Sequence, residues 1–228
     1  MEAAPERSDD VTRLMASQRR YYDLRADDYA DVTRPTDRKQ RGLIAAETAR
    51  GLVDDLRPEG DVLEMACGPG GFTRELARHA RSLTAVDGSP RMLARNREAV
   101  GAPHVEYVCA DLFSWTPARR FDLVFFGFWL SHVPPALADD FWELVRSCLR
   151  PGGRAAFEDV RAQAFEAAHT DDGVPIARRT LGDGRTFDIV KVFWEPAALE
   201  DALRARGWDA RVRPVGDAHL HGVARPPG

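Results

Sequence analysis

Lysine is almost missing from this chain: of its 32 basic residues only Lys39 and Lys191 are lysines. Cysteine is nearly as scarce. Cys67, Cys109 and Cys148 are odd in number, widely spaced and set in apolar patterns. They exclude a disulfide framework or a metal-ligand set and are expected to be reduced packing residues. No apolar run approaches the ~20 residues that span a bilayer, so no membrane partner is expected. Met1 to Asp10 is acidic and polar and does not read as a secretory signal, which points to a cytoplasmic location. An excess of positive charge is missing too. A net charge of −4 and a pI near 5.9 argue against general electrostatic binding to nucleic acid.

What is present suits one domain spanning 1–228: the chain has 228 residues, 44% of them hydrophobic, enough for a sizeable core. Residues 1–57 read as an N-terminal helical cap or lid. It has a polar helix from Val11 to about Ala30 and a second from Asp37 to Leu56, either side of an Arg34-Pro35-Thr36 loop. From 58 onward strands and helices alternate. Strands are expected at Val62–Ala66, Leu83–Asp87, Val105–Cys109, Phe121–Phe126 and Arg154–Asp159. Helices are expected at Phe72–Ala80, Pro90–Val100 (capped by Ser89) and Ala136–Leu149, with Pro151-Gly152-Gly153 as a tight turn. A polar insertion near 160–185 precedes a strand Thr186–Trp194, a helix Pro196–Arg206, and extended segments at Ala210–Val215 and His219–Val223. This alternation predicts an α/β, mostly parallel sheet with helices on both faces.

The chemistry starts at Glu64-Met65-Ala66-Cys67-Gly68-Pro69-Gly70-Gly71, a buried strand running into a glycine turn. Glycines there let backbone N–H groups approach a ligand. The turn has no lysine followed by Ser or Thr, so it is not a P-loop, and it does not match G-x-G-x-x-G. The next two strands end in Asp87 and Asp111. Ligands of open parallel sheets sit beyond these carboxyl ends. An acid at the second tip can accept both hydroxyls of a ribose. One at the third can accept from an adenine amine, with Leu112 against the ring. Glu64, Asp87 and Asp111 would repel a pyrophosphate and suit a nucleoside that carries positive charge.

This constellation resembles the class I S-adenosylmethionine-dependent methyltransferases. The resemblance rests on the glycine turn, Asp87, Ala110-Asp111-Leu112, Phe121-Asp122-Leu123-Val124-Phe125 and Leu149-Arg150-Pro151-Gly152-Gly153, in the family's order over about half the chain. It implies a Rossmann-like seven-stranded sheet, order 3-2-1-4-5-7-6, with the last strand antiparallel. It implies S-adenosylmethionine as cofactor, S-adenosylhomocysteine as product, and no metal. Cofactor contacts would come from Tyr22, Glu64, Ala66, Gly68, Gly70, Asp87, Gly88, Met92, Asp111, Leu112 and Trp129. Ala66 stands where the family often has glycine, a change expected to narrow the turn.

Acceptor chemistry is expected elsewhere. After the fourth strand, Trp129 can pack near the cofactor or fill core. His132 can be a base, a cation for an anionic substrate, or a histidine satisfied by backbone. Period two puts Lys191 on one face with Ile189 and Phe193, where burial is costly unless an anion meets it; it can also snorkel from a sheet edge. Arg178, Arg179 and Arg185 surround a nearby turn. The stretches Phe125–Pro134, Arg178–Phe187 and Ile189–Phe193, Tyr21-Tyr22 and Phe113–Pro117 are similar to the phosphonate O-methyltransferases of dehydrophos biosynthesis and their bacterial relatives. That similarity implies an anionic acceptor held by His132, Arg179 and Lys191, with Tyr21 and Trp129 also at the substrate. Thr36 stands where those relatives carry a pocket tyrosine. The expected activity is therefore O-methylation of a phosphonate or carboxylate small molecule, in natural-product biosynthesis, by a monomer or homodimer. In this reading His132 donates to an acceptor oxygen. The alternatives are N-, C- or hydroxyl O-methylation with His132 as base, and a non-catalytic cofactor-binding protein.

Overall fold

The computed structural model describes residues 9–29, 50–161, 169–171 and 174–227. The lid helix α1 (Asp9–Tyr29) comes first, and residues 50–56 are helical. The second expected helix lies mostly outside the described residues, as do Thr36 and Lys39. Then follow β1 (Asp61–Met65), α2 (Gly71–Leu76), β2 (Ser82–Asp87), α3 (Pro90–Val100), β3 (Val105–Cys109) and β4 (Phe121–Gly127). Short 3₁₀ turns at Leu130–His132 and Pro135–Leu137 lead to α4 (Ala138–Cys148) and β5 (Leu149–Val160). The chain continues through β6 (His169–Asp171), β7 (Val174–Thr180), β8 (Thr186–Val190), α5 (Pro196–Ala205), β9 (Asp209–Val215) and β10 (His219–Arg225).

The main sheet runs β3-β2-β1-β4-β5-β10-β9, parallel except for β10, which is antiparallel to both its neighbours. This is the expected seven-strand order. β1 and β4 lie at its centre and are buried on both faces, so their apolar residues do not alternate with exposed ones, although β1 also buries Asp61 and Glu64. Successive residues of β4 serve opposite cores. Val124 and Phe126 pack with Phe141, Trp142, Phe157 and Trp208, whereas Leu123 and Phe125 pack with Phe72, Leu76 and Leu83. The Phe126 and Phe157 rings stack at 5.3 Å. Opposite Phe157 in the β5–β10 ladder stands Gly222. A Cβ there would lie 2.1 Å from Phe157 Cζ, so Gly222→Ala is expected to lower stability by about 1–3 kcal/mol through overpacking. Thermal unfolding of that variant checks the claim; an unchanged Tm would show that the ring can move aside.

Some local expectations need correction. Proline at 134 and 135 delays α4: Pro135 opens a 3₁₀ turn and the helix starts only at Ala138. Leu149–Gly153 is not a free tight turn but the start of β5, joined to β4 through a register shift at Phe121/Leu123. The strand expected over Thr186–Trp194 ends at Val190 and belongs to a separate sheet of order β6-β7-β8. Cys67 and Cys148 are buried as expected, but Cys109, at the last position of β3, is exposed. Among the described residues no helix is long and apolar enough to cross a membrane.

Candidate active site

The carboxyl ends of β1, β2 and β4 form the floor of the site. After β1 the backbone turns sharply through left-handed conformations at Ala66 (φ 52°) and Gly68 (φ 53°). Glycine takes this conformation without strain. An alanine does so at a cost of about 1–2 kcal/mol, which explains what the Ala66 departure means for the turn. A Cβ on Gly68 would meet no atom within 4 Å, whereas one on Gly70 would lie 2.8 Å from Asn96 Oδ1, so of these two glycines only Gly68 faces open space. Asn96 donates to the Gly68 carbonyl (3.1 Å) and to Thr73 Oγ1 (2.7 Å), tying the turn to α3. Ser89 caps α3 by accepting from the Met92 N–H, and Met92 and Leu112 are buried beneath the rim.

Asp87 locks the turn. Its Oδ2 accepts from Gly68 N (2.9 Å) and its Oδ1 from Ser89 N (2.8 Å), which leaves a lone pair on each oxygen for a diol. Burial pushes this carboxyl up, and the backbone N–H groups of Ser89 and Gly68 oppose that. Glu64 is only 2% exposed and its Oε2 has no hydrogen-bond partner. Burial raises its pKa to about 8, with the Thr73 hydrogen bond opposing and the Asp87 charge adding. After β4, Trp129 Nε1 is a second buried orphan, with its ring 6.3 Å from Phe113. An orphaned carboxylate oxygen and an orphaned N–H are costly unless a ligand meets them.

The lid helix lies across this floor with two working stripes. Along one, Arg19 pairs with Asp111 (2.5 Å), Asp23 accepts from Ser89 Oγ (2.6 Å), and Asp27 pairs with Arg91. The Arg19 stem lies over Gly88; a Cβ there would be 3.2 Å from its Cδ. Thus Asp111, expected to face an adenine amine, is met here by a guanidinium from the lid. Along the other stripe, Gln18 donates to the His132 carbonyl (3.2 Å) and accepts from Val190 N (3.0 Å). Tyr22 Oη lies 2.9 Å from His132 Nε2, which places Tyr22 on the acceptor side. Tyr21 turns instead into a small core with Leu181 and Ile189, and anchors the lid on the β7–β8 hairpin.

Around His132 the expected acceptor residues converge. Its Nδ1 is 2.9 Å from the Val190 carbonyl, which can only accept, so Nδ1 carries the hydrogen. Burial, followed by the Lys191 charge, pushes the imidazole well below its usual range. It is therefore neutral at pH 7, and its Nε2 lone pair accepts from the Tyr22 hydroxyl, with Lys191 Nζ next to it. With the hydrogen on Nδ1, Nε2 can donate to an acceptor oxygen only after taking a proton.

Lys191 is 8% exposed and does not snorkel. Its Nζ donates to Ser131 Oγ (2.8 Å) and lies 3.5 Å from His132 Nε2. Burial lowers its pKa, Asp159 opposes, and Arg179 adds to the lowering. The charge of Arg179, on β7, reaches His132 as well. Sequence reading missed Asp159, Ser131, Gln18 and Arg19. Asp159 accepts from Ser131 N (2.8 Å) and Val160 N (2.7 Å), and so sets the turn that presents both His132 and the Lys191 anchor. A signal existed in the acid at the end of the fifth strand; the two polar lid residues had none beyond helical spacing, and Ser131 had none.

A mostly parallel open sheet with a glycine turn and two buried-side acids, Glu64 and Asp87, at its carboxyl ends defines a Rossmann-like fold. Comparison with known proteins agrees. The family described as "methyltransferase domain" matches residues 62–153. The solved structure of a DhpI–SAH complex superposes with a TM-score of 0.81 at 42% identity, over 94% of this chain and 97% of that one. A DhpI–SAM–HEP complex gives 0.80 at 40% identity, over 93% and 98%. Trans-aconitate 2-methyltransferase of Streptomyces avermitilis is 32% identical over 72% of this chain and 63% of its own length. Malonyl-[acyl-carrier protein] O-methyltransferase of Enterobacter lignolyticus is 37% identical over 70% and 66%. The chain thus spans less than two thirds of each of these two curated relatives. It belongs to the class I S-adenosylmethionine-dependent methyltransferases, whose cofactor carries the positive charge that the Glu64 orphan fits.

The raised Glu64 pKa has a measurable consequence. With a folded pKa near 8 against 4.5 unfolded, its contribution to stability is full below 4.5 and is lost as pH rises through 8. A cation placed beside it favours the carboxylate. Binding of S-adenosylmethionine at pH 7 is therefore expected to release up to about one proton. Calorimetric binding heats should change with the ionisation enthalpy of the buffer, and in Glu64→Gln they should not. Buffer-independent heats in the wild type would mean that Glu64 is already ionised.

Proposed function

We propose that this protein is a small-molecule O-methyltransferase acting on an anionic oxygen of a phosphonate or carboxylate metabolite. The observation that carries this reading is Lys191: a cation kept in a nearly closed pocket, beside Arg179 and a neutral imidazole. Burying an ammonium costs several kcal/mol unless it is paired; Asp159 offsets part of that cost, and a substrate anion would balance the further positive charge that Arg179 brings beside Lys191. Names of relatives point the same way, since trans-aconitate and malonyl groups carry carboxylates. So does the DhpI–SAM–HEP complex as a small-molecule ternary complex.

S-adenosylmethionine supplies an electrophilic methyl group to this pocket when bound. The chain's own residues place the acceptor. Lys191 acts as a point charge on one acceptor oxygen, and Arg179 is suited to a two-pronged grip on the same acid group. Their work is orientation, worth up to ~7–11 kcal/mol when geometry is ideal, because an ionised oxygen needs no base. An acid that arrives with a proton can leave it on His132 Nε2. The lid face with Gln18 and Tyr22 covers the pocket and keeps water out. His132 in its neutral form also favours a second reading, in which Nε2 is the base for a hydroxyl acceptor.

The test is a screen of phosphonates, carboxylic acids and hydroxyl compounds with methyl-labelled cofactor, read by mass spectrometry of the product. Label on an acid oxygen is the expected result. Label only on alcohols would move the assignment to the second reading, and no transfer to any acceptor would leave a cofactor-binding protein.

A further inference from the structure

Strand β8 is the outer strand of the small sheet, so one row of its backbone groups faces away from β7. Lys191 N donates back to the Pro175 carbonyl, which turns the Val190 N–H and C=O outward. Two other elements fill that edge. Ser17 Oγ donates to the Asp188 carbonyl (3.2 Å), His132 Nδ1 to the Val190 carbonyl (2.9 Å), and Val192 N to the Ser131 carbonyl (2.8 Å). The remaining donor, Val190 N, meets Gln18 Oε1 (3.0 Å), and the Gln18 amide nitrogen donates to the His132 carbonyl (3.2 Å). That carbonyl needs a donor from outside its own turn. The 3₁₀ turn ends at His132, and the residue three positions on is Pro135, which has no N–H. Gln18 is 2% exposed, and a carbonyl on one side with an N–H on the other fixes which way its amide points.

These contacts close a ring. It runs through the Gln18 amide, through His132 from carbonyl to imidazole, and through Val190 from carbonyl to N–H. We infer that Gln18 is a positioning residue for methyl transfer, which holds His132 in the form with its hydrogen on Nδ1 and so fixes the acceptor pocket. Without the amide, the His132 carbonyl and Val190 N become buried orphans, and the two segments must part or admit water to satisfy them. The Nδ1–Val190 bond loosens with them, and the hydrogen can then move to Nε2. Ser131 shifts with His132, and with it the Oγ to which Lys191 Nζ donates at 2.8 Å. One side chain of α1 thus sets two groups, His132 Nε2 and Lys191 Nζ, that stand 3.5 Å apart. This rests on the reading of those two residues as the acceptor site and adds to it a residue that acts through them.

The experiment compares wild type with Gln18→Met, which keeps the length of the side chain and removes both hydrogen bonds. Ser17→Ala is the control: it removes the neighbouring contact between α1 and β8 without touching His132. Long-range ¹H–¹⁵N spectra of the full-length protein labelled with ¹⁵N-histidine report the tautomer, and His132→Gln identifies the signal by its loss. Wild type and S17A should show the Nδ1–H form alone, and Q18M a mixture of both. With labelled cofactor and an alkylphosphonate or a dicarboxylate as probe, kcat/KM in Q18M is expected to fall about 10–100-fold, while Kd for S-adenosylmethionine, and kcat/KM in S17A, stay within about threefold of wild type. Should Q18M not fold, Gln18→Asn, a methylene too short to span both partners, gives the same readouts. An unaltered His132 spectrum, or an equal loss of turnover in S17A, would overturn the role of Gln18. No turnover of either probe by the wild type would instead remove the anionic-acceptor reading, and the spectra would still decide whether Gln18 sets the tautomer.

Discussion

Exchanging Lys191 for methionine is expected to reduce kcat/KM for the anionic acceptor by roughly 10²–10³-fold, with cofactor affinity unchanged. The size follows from the loss of a charge-assisted contact, about 1.5–3 kcal/mol, together with some loss of in-line orientation, at 1.36 kcal/mol per tenfold. The fold should survive. Methionine has a similar length, and removing an ion that is 8% exposed also removes its desolvation cost. Asp159 loses the cation that opposes the upward push of burial and can take a proton in response. Its hydrogen bonds from Ser131 N and Val160 N then hold the turn less firmly, so a small loss in kcat accompanies the rise in KM. Steady-state kinetics with a saturating cofactor, beside a thermal melt, measure both effects. Wild-type turnover by K191M would show that no acceptor oxygen depends on this ammonium, and the hydroxyl reading with His132 as base would take its place.

Asp87→Ala is expected to act on the other substrate. It deletes the acceptor of two backbone N–H groups at 2.9 and 2.8 Å and the lone pairs available to a ribose. Hydrogen bonds to a charged group contribute about 1.5–3 kcal/mol each, so a rise of about 10²–10³-fold in the Kd for S-adenosylmethionine is expected. Asp87→Asn separates the two roles: its single carbonyl oxygen keeps one of these hydrogen bonds, and its amide cannot accept. Calorimetry should rank wild type, D87N and D87A in that order of affinity. An affinity for D87A within threefold of wild type would show that the turn holds its shape without the carboxylate and that the ribose is held elsewhere.

Both predictions concern residues already visible in the sequence, and the reason is local. Asp87 sits at the end of an apolar run followed by Gly88-Ser89-Pro90, a pattern that places it at a strand tip before any tertiary contact is known. Lys191 stands out because lysine is so rare here and its neighbours are apolar. The strand drawn around it, however, ends one residue earlier. Residues 186–190 pair with β7 in a small sheet, not with the main one, and periodicity carries no record of which sheet a strand joins. The tyrosine pair was readable as a lid feature, but period alone did not say that Tyr21 packs on Leu181 while Tyr22 reaches His132.

The glycine turn and the carboxylates at the tips belong to the sequence by itself, because each rests on a short stretch whose neighbours along the chain determine its conformation; the order of strands came from the family resemblance and from no local pattern. Strand propensity, a missing Cβ and the position of an acid after an apolar run need nothing distant. The state of each group was decided only by tertiary structure. A carbonyl at Val190 makes His132 Nε2 an acceptor, burial raises Glu64 to about 8 against the Thr73 hydrogen bond, and α1 brings Arg19 to Asp111. Proton location and ion pairing depend on which atoms meet and on how much water is excluded around them. Those are properties of contacts between residues far apart in the chain, such as Tyr22 and His132, and they exist only where α1 packs against the rest of the fold.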